Sequence, residues 1–523
     1  MNINKIDKNY SYLFIFLIAG FILWQPMLFG VFAIQDDHEL LYYMGSDKNL
    51  SFLEIFTSFY DTEVLGNFGT IARFRPSYYF LRLTEIFLWA DHVFLWYAFR
   101  IITLSLFFSS VFLFIKKYFG IWLSILFILI ELVMPYWIQI VTRLGPGEFY
   151  VCLGIALILI SFTYDNLNLT IKSLLISLGT VICSGCKESL VVITLIPILF
   201  FYYYNSKLNV ISKAFLIISK LFAFIVLLAT GYLLFIFSGK DIYGISIHDR
   251  FFSLFNIFKS KEFIILSLMG IAFLLKKNVL VNKKFIINRQ SFFEKSNIWF
   301  FLSCIYLFYI YQYFFYNGNY PSNMRYDIPG LPLYHLYILI VWQLLFHKIK
   351  ISSNYFLKLS FILLLLIMFI YASIYQRHKS LRATLWQHNY FDIIKNASDY
   401  LKSHENSTLV IKSYCGGDHE HIISIKRFLL YEDVKNKFML QIDNQPSPYC
   451  PKNKKSFYPI DQSLEKIVIL GGDGFIPYSQ DKNFECFSIG INGPHNQSCS
   501  GALYISKQKY KLNFWDLARG YLK

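Results

Sequence analysis

The residues best suited to chemistry stand just after the first long apolar run, 12–33, as the stretch Asp36-Asp37-His38-Glu39. A carboxylate in this position can act as a general base toward a hydroxyl group, and paired acids can also hold Mg²⁺ or Mn²⁺. Charged residues are costly to keep beside hydrocarbon. The stretch therefore indicates a function at the membrane surface, with Asp36 and Asp37 as candidate metal ligands.

Other charged stretches also lie beside apolar segments, and these add basic residues. Lysine and arginine side chains bind phosphate groups, and arginine does so in bidentate fashion. Each stretch alone has a plainer interpretation as a helix cap or a snorkelling side chain. The candidate phosphate-binding residues are Lys187, Arg325, Arg143 and Arg75, and the candidate substrate-binding residues are Tyr326, Glu148 and Glu188.

The composition identifies the class of protein that positions these residues. The chain has 523 residues, of which 56% are hydrophobic and 16% charged, whereas soluble domains carry about 25% charged residues. Apolar runs of about 20 residues, long enough to cross a bilayer, recur along the first three quarters. The first run exceeds the usual core of a signal peptide, so we expect an uncleaved helix. We predict about eleven transmembrane helices, at 12–33, 93–115, 119–140, 149–164, 171–184, 189–204, 221–237, 263–275, 297–316, 330–346 and 356–375.

The lysine and arginine distribution predicts the orientation. With a cytoplasmic N-terminus, the inner segments hold most of the basic residues and few acids, as the orientation rule requires. The net charge of +16 then reflects membrane topology and calls for no nucleic-acid partner. All the charged stretches face outward. Residues 34–92 become a first outer loop, in which 52–56 and 78–83 are amphipathic and expected to lie in the membrane interface.

Residues 376–523 are polar and predict a soluble α/β domain outside the membrane. The alternating segments 408–411 and 466–470 indicate strands, and 419–431 indicates a helix. In an extracytoplasmic setting its four cysteines can form disulfides, with a pairing the sequence leaves open, or remain free thiols. These cysteines are Cys415, Cys450, Cys486 and Cys499.

Two charged residues lie within predicted membrane spans. Arg100 falls in the second span and Glu131 in the third. Buried charges are normally paired, which predicts an ion pair between them. The alternative is that Arg100 reaches the phosphate group that the candidate phosphate-binding residues would hold.

In their order along the chain, these motifs resemble the GT-C superfamily of membrane glycosyltransferases, which use polyprenyl-phosphate sugars. The superfamily includes protein mannosyltransferases, lipid A aminoarabinose transferases and O-antigen-modifying enzymes. The likeness covers most of residues 1–375 as architecture but only short motifs as sequence. A C-terminal extracytoplasmic domain is also common in the group, although the sequence of this one resembles no domain in particular. The similar motifs are Asp36-Asp37 after the first span, Arg75-Pro76, Lys187-Glu188 and Arg325-Tyr326-x-x-Pro329.

The resemblance implies roles for individual residues. Asp36 would be the general base, and Asp37 would orient it or the acceptor, or join a metal site. Glu39 is a further catalytic candidate. Lys187 and Arg325 would bind the donor phosphate, with Arg143 and Arg75 as additional candidates. No cofactor is certain, and a divalent cation, Mg²⁺ or Mn²⁺, is the candidate.

The expected function is inverting transfer of a sugar from a polyprenyl-phosphate donor to a glycan or lipid-linked glycan such as an O-antigen. The expected location is the outer side of a bacterial cytoplasmic membrane, among membrane lipids and without nucleic acid. Two other classes remain open. One is a glycan or lipid transporter, which would place charges or broken helices near mid-membrane. The other is a non-catalytic assembly protein whose working part is the outer domain.

Overall fold

A computed structural model describes most of the first 403 residues and three parts of the C-terminal region. The described residues are 3–33, 37–60, 62, 74–232, 247–280, 295–316, 318, 320–322, 324–346, 355–403, 408–413, 419–442 and 467–471.

Most of these residues are helical. Short 3-10 helices at Gln25–Phe29, Glu188–Thr194 and Arg325–Asp327 connect longer elements. The α-helices before the C-terminal region are α1 (Ile3–Trp24), α2 (His38–Met44), α3 (Phe52–Tyr60), α4 (Pro76–Trp89), α5 (Val93–Phe119), α6 (Ile121–Val133), α7 (Tyr136–Thr142), α8 (Glu148–Thr163), α9 (Leu169–Cys186), α10 (Leu195–Tyr204), α11 (Val210–Tyr232), α12 (Ile247–Asn256), α13 (Lys261–Leu280), α14 (Lys295–Phe315), α15 (Gly330–Phe346) and α16 (Tyr355–Ser403).

Several helical segments are long and apolar enough to cross a membrane. Among the described residues there are 6 of them, or 7 if a bent pair of helices counts as one span. The chain is therefore a helical membrane protein, while the total of about eleven spans stays a prediction. The segments are Ser11–Phe29, Val93–Phe119, Leu169–Cys186, Glu188–Lys207, Val210–Tyr232, Leu359–Ser403 and the bent pair Ile121–Val133 and Tyr136–Thr142, and shorter apolar helices are Glu148–Thr163, Phe301–Phe315 and Gly330–Leu345.

The predicted helix 119–140 is broken in the structure. Helices α6 and α7 meet at Met134-Pro135 with a bend of 68°. Proline has no backbone N–H and its ring clashes with the preceding turn, so a continuous helix cannot pass through this point. Helix α7 packs against the Arg325–Asp327 turn, which brings two of the charged stretches together.

A second break follows helix α9. The sequence predicts a helix over 189–204, but Glu188–Thr194 is a 3-10 helix and α-helical geometry resumes at Leu195. Pro197 lies in the first turn of α10, where its missing N–H is no loss because that position has no intrahelical partner. Lys187 thus lies at the junction between two helical segments.

The two amphipathic segments of the loop 34–92 are both helical. Helix α3 buries Ile55 and exposes Phe52, Leu53 and Phe56. Helix α4 extends well beyond the predicted 78–83 and begins with Pro76, a residue suited to a first helical turn. Their placement in the membrane interface stays a prediction.

Helix α16 runs past the predicted domain boundary at residue 375. The indole of Trp24 donates a hydrogen bond to the Gln376 side chain at 3.1 Å, and the Gln387 amide donates to the Thr142 carbonyl at 2.7 Å. The composition changes after Tyr375, but the backbone helix and its packing against the first helices do not.

The described C-terminal residues contain a parallel sheet and a helix that contacts the N-terminal part. The strand order is β2-β1-β3, with Leu409 aligned with both Phe438 and Val468. Helix α17 packs against α2, and the rings of Phe32 and Tyr431 are 6.3 Å apart. The elements are β1 (Thr408–Ser413), α17 (His419–Tyr431), β2 (Lys437–Ile442) and β3 (Ile467–Gly471). Cys415, Cys450, Cys486 and Cys499 lie outside the described residues.

Candidate functional site

The charged residues predicted from the sequence come from the ends of several elements. Asp37 caps α2, whose first turn carries Glu39, and Glu148 begins α8. Lys187 lies between α9 and the following 3-10 helix, and Arg325 begins another 3-10 helix. A residue at the end of a helix can turn its side chain toward a neighbouring loop, and most of these charged residues do so. Asp36 lies outside the described residues, so its position stays a prediction.

Two cations lie against the carboxylate of Glu148. The Lys187 ammonium donates to Glu148 Oε1 at 2.8 Å, and Arg325 Nε lies 3.9 Å from Glu148 Oε2. The Lys187 and Glu148 side chains are only 5% and 6% exposed. Charges this deeply buried are stable only when they are paired. Glu148 therefore holds both cations in one place.

The pairing keeps the lysine charged. Burial lowers the pKa of Lys187, but the Glu148 carboxylate and the Tyr316 side chain together outweigh burial, so the net direction is upward. A lysine kept in its ammonium form is suited to binding an anion and unsuited to acting as a base.

Tyrosine rings surround these cations. The Lys187 nitrogen lies 5.6 Å from the ring centre of Tyr316 and 5.5 Å from that of Tyr326. The Arg325 guanidinium carbon lies 5.2 Å from the Tyr326 ring. Aromatic faces attract cations and exclude water. Sequence reasoning named Tyr326 but missed Tyr316, because an aromatic residue at a helix end is unremarkable in a chain with 20% aromatic residues.

A third cation belongs to the same group. Arg75 binds Glu188 in bidentate fashion, with Nε to Oε1 and Nη2 to Oε2 both at 2.7 Å. Burial lowers the pKa of Arg75, but Glu188, with smaller contributions from Tyr79 and Glu148, outweighs burial, so the net direction is upward. Glu188 directly follows Lys187, so this pair adjoins the first. We call the five residues the cation cluster: Arg75, Lys187, Arg325, Glu148 and Glu188.

The carboxylate of Asp37 binds backbone N–H groups, and its role in orienting the base or the acceptor stays a prediction. Its side chain is completely buried. Oδ1 accepts hydrogen bonds from the backbone N–H groups of Leu144 at 2.6 Å and Gly145 at 3.0 Å, and Oδ2 accepts from Ala33 N–H at 2.7 Å. The carboxylate thus joins the start of α2 to the segment that leads into α8.

This arrangement does not fit Asp37 as a ligand of Mg²⁺ or Mn²⁺. Both carboxylate oxygens face N–H hydrogens, which carry partial positive charge where a cation would have to sit. Within the described ranges there is also no group of three or more His, Cys, Asp or Glu side chains placed to hold a metal ion. A metal site that includes Asp36 stays a prediction.

Glu39 and Arg143 lie around the same segment. The Tyr78 hydroxyl is 3.2 Å from Glu39 Oε2 and 2.9 Å from the Gly145 carbonyl, so it bridges α2 and this segment. Arg82 Nη2 donates to the same hydroxyl at 2.6 Å. Arg143 is half-buried and directly precedes Leu144. Glu39 thus reaches the segment through Tyr78, and it lies outside the cation cluster.

Two buried arginines also hold this segment, and of these the sequence had suggested only Arg100 for the site, as an alternative to its ion pair. Arg82 donates to the carbonyls of Leu144, at 2.9 Å, and Gly145, and Arg100 donates to the carbonyl of Leu144. Glu85, one turn beyond Arg82 on α4, supplies a buried carboxylate nearby. The sequence signal was an Arg and a Glu three residues apart on a helix expected to lie in the interface.

The predicted ion pair between Arg100 and Glu131 is wrong. Arg100 donates to backbone carbonyls instead. Glu131 accepts hydrogen bonds from Tyr136 and Trp137 and lies 2.8 Å from His335 Nδ1. The break at Pro135 is the reason, because it folds α7 back and places the aromatic residues beside Glu131.

The arrangement defines a class of protein but no named family. No family model matches this chain, and no curated protein matches it. The class is that of a helical membrane protein with a buried, aromatic-lined group of cations beside broken helices. Chemically, such a group can bind an anion and stabilise a negative charge that develops on it.

Proposed function

We propose that the protein is a GT-C-type membrane glycosyltransferase. It takes a sugar from a polyprenyl-phosphate-linked donor and adds it to a glycan or lipid-linked glycan such as an O-antigen. The reaction takes place at the outer side of a bacterial cytoplasmic membrane, the side to which the lysine distribution assigns the charged loops.

One observation carries the proposal. Three cations, Arg75, Lys187 and Arg325, gather in one cluster against only two carboxylates. Because each cation is already held by a carboxylate, an arriving phosphate finds the cations oriented and exchanges with a side chain that can move aside. The motif order that resembles the superfamily supports the same proposal.

The reaction balances with the residues of this chain. Asp36 takes the proton of an acceptor hydroxyl as that oxygen attacks the anomeric carbon. The bond between the anomeric carbon and the phosphate oxygen breaks, and the polyprenyl phosphate leaves with the bonding electron pair. Lys187 and Arg325 stabilise the charge that develops on the leaving phosphate. Direct displacement inverts the anomeric configuration.

The test is a transfer assay with purified protein, a panel of polyprenyl-phosphate sugars and candidate acceptors, with and without EDTA. We expect polyprenyl phosphate to be released and Asp36→Asn to abolish its release. Asp47→Asn is a matched control, since Asp47 is an exposed acid in the same loop. Full activity of Asp36→Asn would remove the proposed base, and an effect of EDTA would require a metal.

One observation favours a transporter as a second candidate. Both helix breaks have an ionisable residue beside them, Glu131 before Pro135 and Lys187 before the 3-10 helix. Transporters build binding sites at such discontinuous helices. In sealed vesicles a transporter would move the labelled lipid across the bilayer without releasing its phosphate, whereas a transferase would cleave it.

A further inference from the structure

The peptide Leu144-Gly145 is held by charged groups on both of its sides. Its two N–H groups donate to Asp37 Oδ1, at 2.6 and 3.0 Å. Its two carbonyl oxygens accept from Arg82, and the carbonyl of Leu144 also accepts from Arg100. We call Asp37, Arg82 and Arg100 the peptide clamp.

All three clamp residues are almost fully buried. Asp37 and Arg82 are 0% exposed and Arg100 is 1% exposed. Removing three charges from water is costly, and an ordinary loop needs only water or neutral groups to satisfy its backbone. Charged hydrogen bonds are stronger and more directional than neutral ones. The clamp therefore fixes one peptide more tightly than folding alone requires.

The clamped peptide leads directly to the cation cluster. A short connection continues to Glu148, which holds Lys187 at 2.8 Å. Within that connection Gly147 lies in close contact with two neighbours. A Cβ at Gly147 would come within 3.2 Å of the Cys186 carbonyl and within 3.2 Å of the Tyr78 ring. A shift of the clamped peptide would therefore move Glu148 and press on the residue before Lys187.

The other end of the clamp adjoins the proposed base, because Asp37 directly follows Asp36. We infer that Asp37, Arg82 and Arg100 are positioning residues that fix Glu148 and the cations it holds. The clamp keeps the group that would bind the donor phosphate in one place. The catalytic part of this inference rests on the proposed function, whereas the clamp itself does not.

Hydrogen exchange of the full-length protein in lipid nanodiscs tests the clamp without any substrate. The variants are Asp37→Asn, which keeps the side-chain size but removes the charge, and Arg82→Lys, which keeps the charge but loses the two-armed donor. We expect amide exchange within residues 143–148 to rise about tenfold or more in both, since each loses a charged hydrogen bond. Lys117→Gln is the control, because Lys117 pairs with Asp165 in another part of the chain, and it leaves this exchange unchanged.

Steady-state kinetics then test positioning. Turnover is measured per donor-binding site, counted by binding of polyprenyl phosphate, so that loss of folded protein does not count. We expect both clamp variants to lower kcat about a hundredfold with little change in the donor KM, since a displacement of about 1 Å is enough for such a loss. A change confined to KM, or none in either constant, would overturn the positioning role.

The outcomes separate the two proposals. Unchanged exchange in both variants overturns the clamp. If exchange rises but turnover per site is unchanged, the clamp only stabilises the loop, and the positioning role is overturned. A wild-type protein that releases phosphate from no donor refutes the proposed function instead, and the exchange result then decides on the clamp by itself.

Discussion

The peptide held by the clamp lies shortly before Glu148 of the cation cluster, yet the cations of the two regions have different kinds of partner. In the clamp, Arg82 and Arg100 donate to backbone carbonyls and are almost fully buried. In the cluster, Arg75 and Arg325 face carboxylate side chains and are 21% and 13% exposed. A backbone carbonyl cannot leave its place, whereas a carboxylate side chain can rotate away when another anion arrives.

The partner of a buried arginine thus indicates its role better than its burial does. Arginine bound to backbone stabilises one conformation of a loop. Arginine bound to a carboxylate beside aromatic rings can exchange that carboxylate for a phosphate, which the same guanidinium geometry fits equally well. The comparison predicts that variants of the clamp and of the cluster differ in their effects on stability and on donor binding.

The largest expected effect is on folding, and it separates Arg82 from Arg75. Arg82→Ala removes a charged donor from the buried carbonyls of Leu144 and Gly145 and a buried cation from the neighbourhood of Glu85, which should lower the unfolding free energy by about 3–5 kcal/mol. Arg75→Ala breaks a pair that is partly exposed, and we expect about 1–3 kcal/mol. Denaturant unfolding in detergent measures both. An Arg75→Ala loss as large as that of Arg82→Ala would contradict the distinction.

The sequence predicted the class of protein and the composition of the cluster. Apolar runs indicated membrane helices, and Lys187-Glu188 and Arg325 were recognisable because charges beside apolar runs are rare. The sequence did not predict the clamp. Arg82 sits on an amphipathic helix where a charged residue normally faces water, and only the tertiary packing of α4 turns it inward. The prediction of an Arg100–Glu131 ion pair was wrong for a similar reason. The hydropathy pattern indicates one continuous helix over 119–140, but the break at Pro135 redirects the chain.

Donor binding should respond in opposite directions to the two partners in the cluster. Lys187→Gln removes a cation, and we expect the Kd for polyprenyl phosphate to rise about tenfold. Glu148→Gln removes the competing carboxylate, so the Kd should fall while the ligand-free protein becomes less stable. Thermal unfolding with and without polyprenyl phosphate measures both effects. Ligand then stabilises Glu148→Gln more than it stabilises the wild type.

One outcome of the same experiment would contradict the proposed exchange of Glu148 for phosphate. If Glu148→Gln binds polyprenyl phosphate more weakly than the wild type, Glu148 does not compete with the ligand. It would then hold Lys187 and Arg325 in the geometry that the ligand needs. The carboxylates of the cluster would resemble Asp37 of the clamp in function, and the distinction between the two regions would disappear.

The smallest expected effect is a pH profile that stays flat. The pKa of Lys187 is raised, so its ammonium form is present below about 10.4, the ordinary lysine value, and is lost only above it. The donor KM of the wild type should change less than about twofold between about pH 7 and pH 9, whereas in Lys187→His it should rise as the imidazole loses its proton near about pH 6.5. A wild-type KM that rises about tenfold by about pH 9 would show that Glu148 does not hold the lysine charge, since one pKa unit corresponds to about 1.4 kcal/mol.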